Sequence, residues 1–182
     1  AAFALGLLAA AALGSIPLRW EEEAEENAEE RDDQSALPVS PWICLGPLDN
    51  PLIEDVCEGF QRDFLAESGG EAAARPVQGQ AERDLRWRRP LAPADGSEVD
   101  FLAQYGSLGY SVAYAYRTIE AASGEDYVFK IGSDDGIKVW LNGRLIHANH
   151  IHRALSRGED LVIAPVEAGP NALLVKVDQG DG

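Results

Sequence analysis

The chain has 182 residues, room for one ordinary domain with tails, and 46% of them are hydrophobic, enough for a packed core. Its net charge of −16 excludes a nucleic-acid partner, because phosphate recognition needs a basic surface, and it disfavours electrostatic docking on anionic lipid. The acid is uneven: residues 19–41 hold nine acids and two bases (net −7), and residues from Trp42 onward hold 22 acids and 13 bases (net −9).

Residues 1–13 are almost wholly apolar, and no methionine occurs anywhere in the chain. A run this short falls below the roughly 20 residues of a membrane span but fits the apolar region of a signal peptide. Ala11-Ala12-Leu13-Gly14-Ser15 supplies small residues for cleavage. A membrane anchor extended upstream and a buried helix are the alternatives. Residues 1–18 are therefore read as a signal-peptide or membrane-anchor remnant, which limits any membrane contact to this segment. Either origin places the domain in the periplasm, at the cell surface or in the medium. Residues 19–41 read as an acidic disordered linker, since Glu21 to Gln34 offers no branched aliphatic or aromatic side chain to bury.

Residues 42–182 read as one all-β module. Trp42-Ile43-Cys44-Leu45 is a first strand stopped by Gly46-Pro47. Glu54 to Leu65 suits a short helix, and Glu67 to Gln80 a Gly/Ala-rich loop. Leu85 to Arg88 suits a strand, Asp95-Gly96 a turn, and Val99 to Gln104 a helical turn or short strand. The β signal then sharpens. Val112, Tyr114, Tyr116 and Thr118 alternate with smaller or polar neighbours, as do Tyr127, Phe129 and Ile131, and then Ile137, Val139 and Leu141. That is the period of strands with one buried face. Asn142-Gly143 is a strong hairpin signal because both residues accept the positive φ of a type I′ turn. Arg144 to His147, Leu161 to Val166 and Ala172 to Val177 complete a series of short strands. Such spacing predicts an antiparallel sandwich or barrel. Cys44 and Cys57 are compatible with a disulfide of an exported protein and equally with two free buried thiols.

The stretch from Tyr127 to Val177 resembles galactose-binding-like jelly-roll modules of large exported bacterial proteins. The resemblance rests on Gly132-Ser133-Asp134-Asp135-Gly136, Trp140-Leu141-Asn142-Gly143, Arg153, Asp160, and the closing Gly169 to Val177. Trp42 with Leu45-Gly46-Pro47-Leu48-Asp49-Asn50 is similar to the opening of such modules, with Leu48 where phenylalanine is usual. The Ser-Asp-Asp-Gly loop is also similar to the PA14 family, some members of which hold calcium, and through it a sugar, on paired aspartates. The resemblance implies a jelly roll, an accessory role beside other domains of the same chain, and a C-terminal truncation, because a last Gly-Trp-containing strand is missing.

Candidate residues follow. Asp134 and Asp135 would hold calcium, or would tie a tight turn in which Gly136 takes positive φ. Trp140, out of phase with Ile137, Val139 and Leu141, would be an exposed stacking platform for a sugar, or would pack under a loop. Asn142, Asn149 and Arg153 would line a glycan site. Arg153 would alternatively pair with Asp160 and pin its loop. His147, His150 and His152 cluster in sequence, but strand parity separates His147 from the others, so a zinc site is disfavoured. No nucleophile elbow, zinc-protease helix or phosphate loop occurs, so no catalytic residue is expected. The expected function is a non-catalytic carbohydrate-binding accessory module with calcium as its one candidate cofactor. The alternative is a structural or protein-interaction sandwich that packs on neighbouring domains of the same chain.

Overall fold

A computed structural model of the chain describes residues 4–11, 37–53, 56–91, 98–106 and 109–180, with 4–11 and 56 through the backbone alone. In chain order the elements are β1 (Ala4–Ala11), β2 (Ile43–Asp49), β3 (Leu52–Ile53), β4 (Val56–Cys57), β5 (Ala81–Glu82), β6 (Leu85–Arg86) and β7 (Glu98–Asp100). Then come α1 (Phe101–Tyr105), β8 (Ser111–Ala121), β9 (Glu125–Ser133), β10 (Gly136–Leu141), β11 (Arg144–Asn149), β12 (Asp160–Val166) and β13 (Gly169–Gln179). A smaller sheet runs β12-β9-β1-β7 and a larger one β11-β10-β13-β8-β2. Their pairings are antiparallel, so the chain forms the expected antiparallel β-sandwich.

The sandwich core lies between the sheets. Tyr127, Phe129 and Ile131 of the smaller sheet meet Ile137, Val139 and Leu141 of β10 and Leu173, Val175 and Val177 of β13. These are the alternating positions read from the sequence. Asn142 (φ 52°) and Gly143 (φ 87°) make the expected two-residue hairpin turn.

Alternation also implied one buried face per strand, and here the structure differs. On β8, Ala113 and Ala115 face the sandwich core while Val112, Tyr114 and Tyr116 belong to a second core on the opposite face. Leu174 of β13, Trp140 of β10 and Leu45 of β2 join that second core, closed by Phe64, Leu65 and Trp87. The cause is the excursion between β2 and β7, which folds over the outer face of the larger sheet. Central strands buried on both faces lose the polar half of their alternation.

This covering segment is mostly irregular. The expected helix over 54–65 reduces, among the described residues, to a 3₁₀ turn at Glu58–Phe60. Asn50 Oδ1 accepts the Gly59 N–H at 2.7 Å, and a Cβ at Gly59 would lie 2.4 Å from that oxygen. The segment is therefore shaped by contacts to the sheet rather than by its own periodicity. Leu85 and Arg86 form a two-stranded ribbon with β5, and Arg88 bonds Cys44 through its backbone. Val99 to Gln104 divides into the end of β7 and the start of α1.

Two stretches upstream of Trp42 pair with the sheets. The sandwich begins before Trp42, because Glu120 N–H donates to Pro38 O and Thr118 N–H donates to Ser40 Oγ. The backbone of Ala4–Ala11 lies between β9 and β7, with Leu7 opposite Ile131 and Leu5 opposite Val99. The run read as a leader thus supplies a strand of the smaller sheet. Its expected cleavage point, nearly all of the acidic linker and the Asp95-Gly96 turn lie outside the described residues. Cys44 and Cys57 are free, buried thiols, and burial pushes both pKa values up.

Candidate functional site

The Ser133–Gly136 turn joins β9 to β10 and holds itself together. Ser133 Oγ donates to Asp135 O at 2.7 Å. The Asp135 carboxylate accepts the Arg153 N–H on Oδ1 (3.0 Å) and the Gly180 N–H on Oδ2 (2.8 Å). One aspartate therefore ties the turn to the following loop and to the end of β13. Positive φ falls on Asp135 (57°), not on Gly136 as expected. Gly136 is needed for a different reason: a Cβ there would lie 2.0 Å from Asp178 Oδ1. Asp134 is buried, and its carboxyl pKa is raised by burial first and by Asp135 second. Among the described residues no group of three His, Cys, Asp or Glu side chains is placed to hold a metal ion.

Trp140 is on the face opposite Ile137, Val139 and Leu141, as its parity required, but that face is covered. The side chain is 6% exposed and belongs to the second core. The expectation of an exposed platform is corrected, because Phe64, Leu65 and Trp87 close this core over the sheet. Asn142 is equally engaged: its Oδ1 accepts the Ala172 N–H and its Nδ2 donates to Asn171 Oδ1 (2.7 Å). It braces the hairpin against β13. Asn149 is half-buried at the end of β11, opposite Ile137.

Arg153 takes the pinning role. Its two terminal nitrogens donate to the two Asp160 oxygens at 3.2 and 2.6 Å, and Nη2 also reaches Ser133 Oγ at 2.9 Å. A bidentate pair of this kind fixes orientation as well as charge. Burial opposes ionisation of Asp160, but the Arg153 and His147 contacts outweigh it and hold its pKa below the ordinary value.

The three histidines do not converge. His147 meets Asp160 at 3.1 Å, His150 meets Asp178 at 3.3 Å, and His152 meets Asp135 at 3.5 Å. His150 also stacks on Phe60, with ring centroids 4.3 Å apart. Each ring braces the 147–153 segment against a different aspartate.

The strongest polar feature was not read from the sequence. Lys176, 1% exposed in the middle of β13, donates to Phe60 O (3.1 Å), Arg62 O (2.6 Å) and Glu71 Oε1 (2.9 Å). The Tyr114 hydroxyl donates to the same Glu71 oxygen at 2.6 Å. Burial lowers the Lys176 pKa and raises that of Tyr114, and Glu71 opposes the first shift and adds to the second. This network bolts the covering segment to the sheet, and all three ammonium hydrogens have acceptors. A lysine inside the run Leu173 to Val177 was the available signal: a charge in a central strand needs a buried partner.

The covering segment also contains a shallow cleft of about 30 Å³, whose lining includes Leu65, Arg75, Gln80, Glu82 and Trp87. No protein-family model matches the chain, and no curated protein matches it.

Proposed function

We propose that the chain is a non-catalytic accessory module of jelly-roll type, carried by a larger exported protein, that packs against a neighbouring domain of the same polypeptide. One observation carries this reading. Leu161 and Ile163, 66% and 71% exposed, point outward together from the edge strand β12. On the adjacent strand Ile163 lies opposite Val128, which is half-buried. Among the described residues no element covers them, whereas Trp140, Leu174 and Lys176 on the outer face of the larger sheet are buried. Adjacent large apolar side chains on an uncovered sheet edge mark an interaction surface. Exposed acids at Glu125, Asp126, Glu159 and Glu167 flank the strip. The surface that fits it has an apolar centre and a basic rim.

A calcium-dependent glycan site at Asp134, Asp135 and Trp140 has less support. Trp140 lies in a core, Asp135 spends its oxygens on backbone N–H groups, and Asn142 and Arg153 are held by internal partners. The non-catalytic reading rests on the sequence, which carries no recognised catalytic motif.

The test is side-chain footprinting of Leu161 and Ile163 in this chain alone and in the full product of its gene. Protection of both residues in the longer protein is the expected result. Equal labelling in the two would contradict the proposal.

A further inference from the structure

The domain is acidic as a whole, yet the β5–β6 ribbon of the covering segment is strongly basic. Residues 83–89 hold four of the 13 bases that follow Trp42. Arg83, Arg86, Arg88 and Arg89 are all exposed, and the one acid among them is Asp84. The ribbon sets their direction. Trp87 is 1% exposed and belongs to the second core, so Arg86 and Arg88 on either side of it point the opposite way. Arg83 stands at the tip of the ribbon, where φ is 54°. Arg75 is exposed close by, beside Gln80 and Trp87.

This basic face is firmly held and unmatched. Trp87 N–H donates to Gln80 O, Gly79 N–H donates to Trp87 O, and Arg88 exchanges backbone bonds with Cys44. Arg86 Nη1 donates to Gly79 O and Arg89 Nε to Gln78 Oε1, each at 3.0 Å, which fixes both stems and leaves their remaining N–H groups to donate. Among the described residues none of these five guanidinium groups makes an ion pair, whereas Arg153 and Arg157 are matched to carboxylates. A cluster of unmatched arginines fits a partner that carries several carboxylates.

The chain itself carries such a partner. Residues 21–33 hold nine acids and one base, Arg31. A block of like charge of this kind serves as an interaction segment. The run enters the sandwich along the strand that carries the ribbon. Val39 bridges Ile119 just ahead of β2, whose Cys44 pairs with Ala115 on one side and with Arg88 on the other. Asp33 is eleven residues before Cys44, a contour of up to about 36 Å, so the run can lie alongside the ribbon.

We propose that the arginine face of the β5–β6 ribbon is a docking surface for the acidic run 21–33 of the same chain. Guanidinium groups take carboxylates in paired hydrogen bonds. Each exposed pair contributes little and is screened by salt, so the contact depends on many charges acting together. The tether selects this run over an anion from outside. It supplies nine carboxylates at an effective concentration on the order of millimolar, while a free polyanion approaches against the negative charge of the domain. The surface is at the edge of the larger sheet and does not depend on what packs on β12.

The test titrates a synthetic peptide of residues 20–34 into three forms of the 182-residue chain, read by NMR at about 20 mM salt. They are the parent, a run variant with all nine acids changed to amides, from Glu21→Gln to Asp33→Asn, and that run variant with Arg83→Gln, Arg86→Gln and Arg89→Gln added. The peptide is expected to bind the run variant, shift its arginine Nε–Hε signals, and release in about 1 M salt. The parent should bind at least roughly tenfold more weakly, because its own run holds the face. The run variant alters no residue of either core, so this comparison stands even if the arginine substitutions disturb folding. Failure of the run variant to bind overturns the proposal, and so does equal binding by parent and run variant. Binding that survives the arginine substitutions lies elsewhere and overturns it too. A parent whose weaker binding disappears on dilution of the protein has its run docked on a second copy, which also contradicts the proposal.

Discussion

The two sheets of this sandwich differ in what lies on their outer faces. On the larger sheet, β13 turns Ala172, Leu174, Lys176 and Asp178 away from the sandwich core, and all four are buried under the excursion between β2 and β7. On the smaller sheet, β12 turns Leu161 and Ile163 away from the core, and both stay open. The lesson is that period-two alternation identifies which residues share a face and is silent on whether that face is wet. The same parity places Trp140 in a core and Leu161 in solvent.

The largest expected effects come from opening the closed face. Lys176→Met leaves Glu71 buried beside Tyr114 without its cation, and it should cost about 3–5 kcal/mol in urea unfolding. Adding Glu71→Gln should recover part of that loss, because the uncompensated charge is then gone; a double-mutant cycle measures the coupling. Trp140→Ala should cost a similar amount, about 3–5 kcal/mol, as a large aromatic lost from a core. A surface platform would instead leave stability within roughly 0.5 kcal/mol.

Next come the carboxylates, which separate by pH. The Asp178 pKa is raised, by burial first, against His150, with Asp135 adding to the rise. Stability linked to such a group is full below the unfolded pKa and is lost as pH rises through the folded one. Asp178→Asn should therefore raise the thermal midpoint at neutral pH and converge with the parent at about pH 3. The Asp160 pKa is lowered by Arg153 and His147 against its burial. Its contribution is present above the unfolded pKa and lost as pH falls through the folded one. Asp160→Asn should lower the neutral-pH midpoint and lose that effect in acid. Differential scanning calorimetry across pH checks both signs.

The smallest effect on stability is expected on the open face. Leu161→Lys with Ile163→Lys should change unfolding free energy by no more than about 0.5 kcal/mol per site. Under the packing role proposed above, the same pair should abolish docking of a further domain, as read by footprinting of the full gene product.

The sandwich was legible because its hairpin chemistry is local. Asn142-Gly143 and the alternating strands from Val112 to Val177 depend on neighbours in sequence, and they fell where expected. The cover was not legible, because its register is set by distant partners. Asn50 reaches Gln179, and Glu71 reaches Lys176 across more than a hundred residues. The candidate site suffered from the same gap. The sequence suggests Asp135 as a metal ligand and Asn142 and Arg153 as glycan contacts, whereas their polar groups serve Gly180, Ala172 and Asp160, none of which is adjacent in sequence.

Hydroxyl-radical footprinting of the isolated chain tests the central contrast most directly. Leu161 and Ile163 should be modified rapidly, while Trp140 and Tyr114, intrinsically more reactive aromatics, should be protected in the native state and modified only on unfolding. Rapid native-state modification of Trp140 and Tyr114, at rates matching Leu161, would contradict the closed face and restore Trp140 as a candidate for ligand contact.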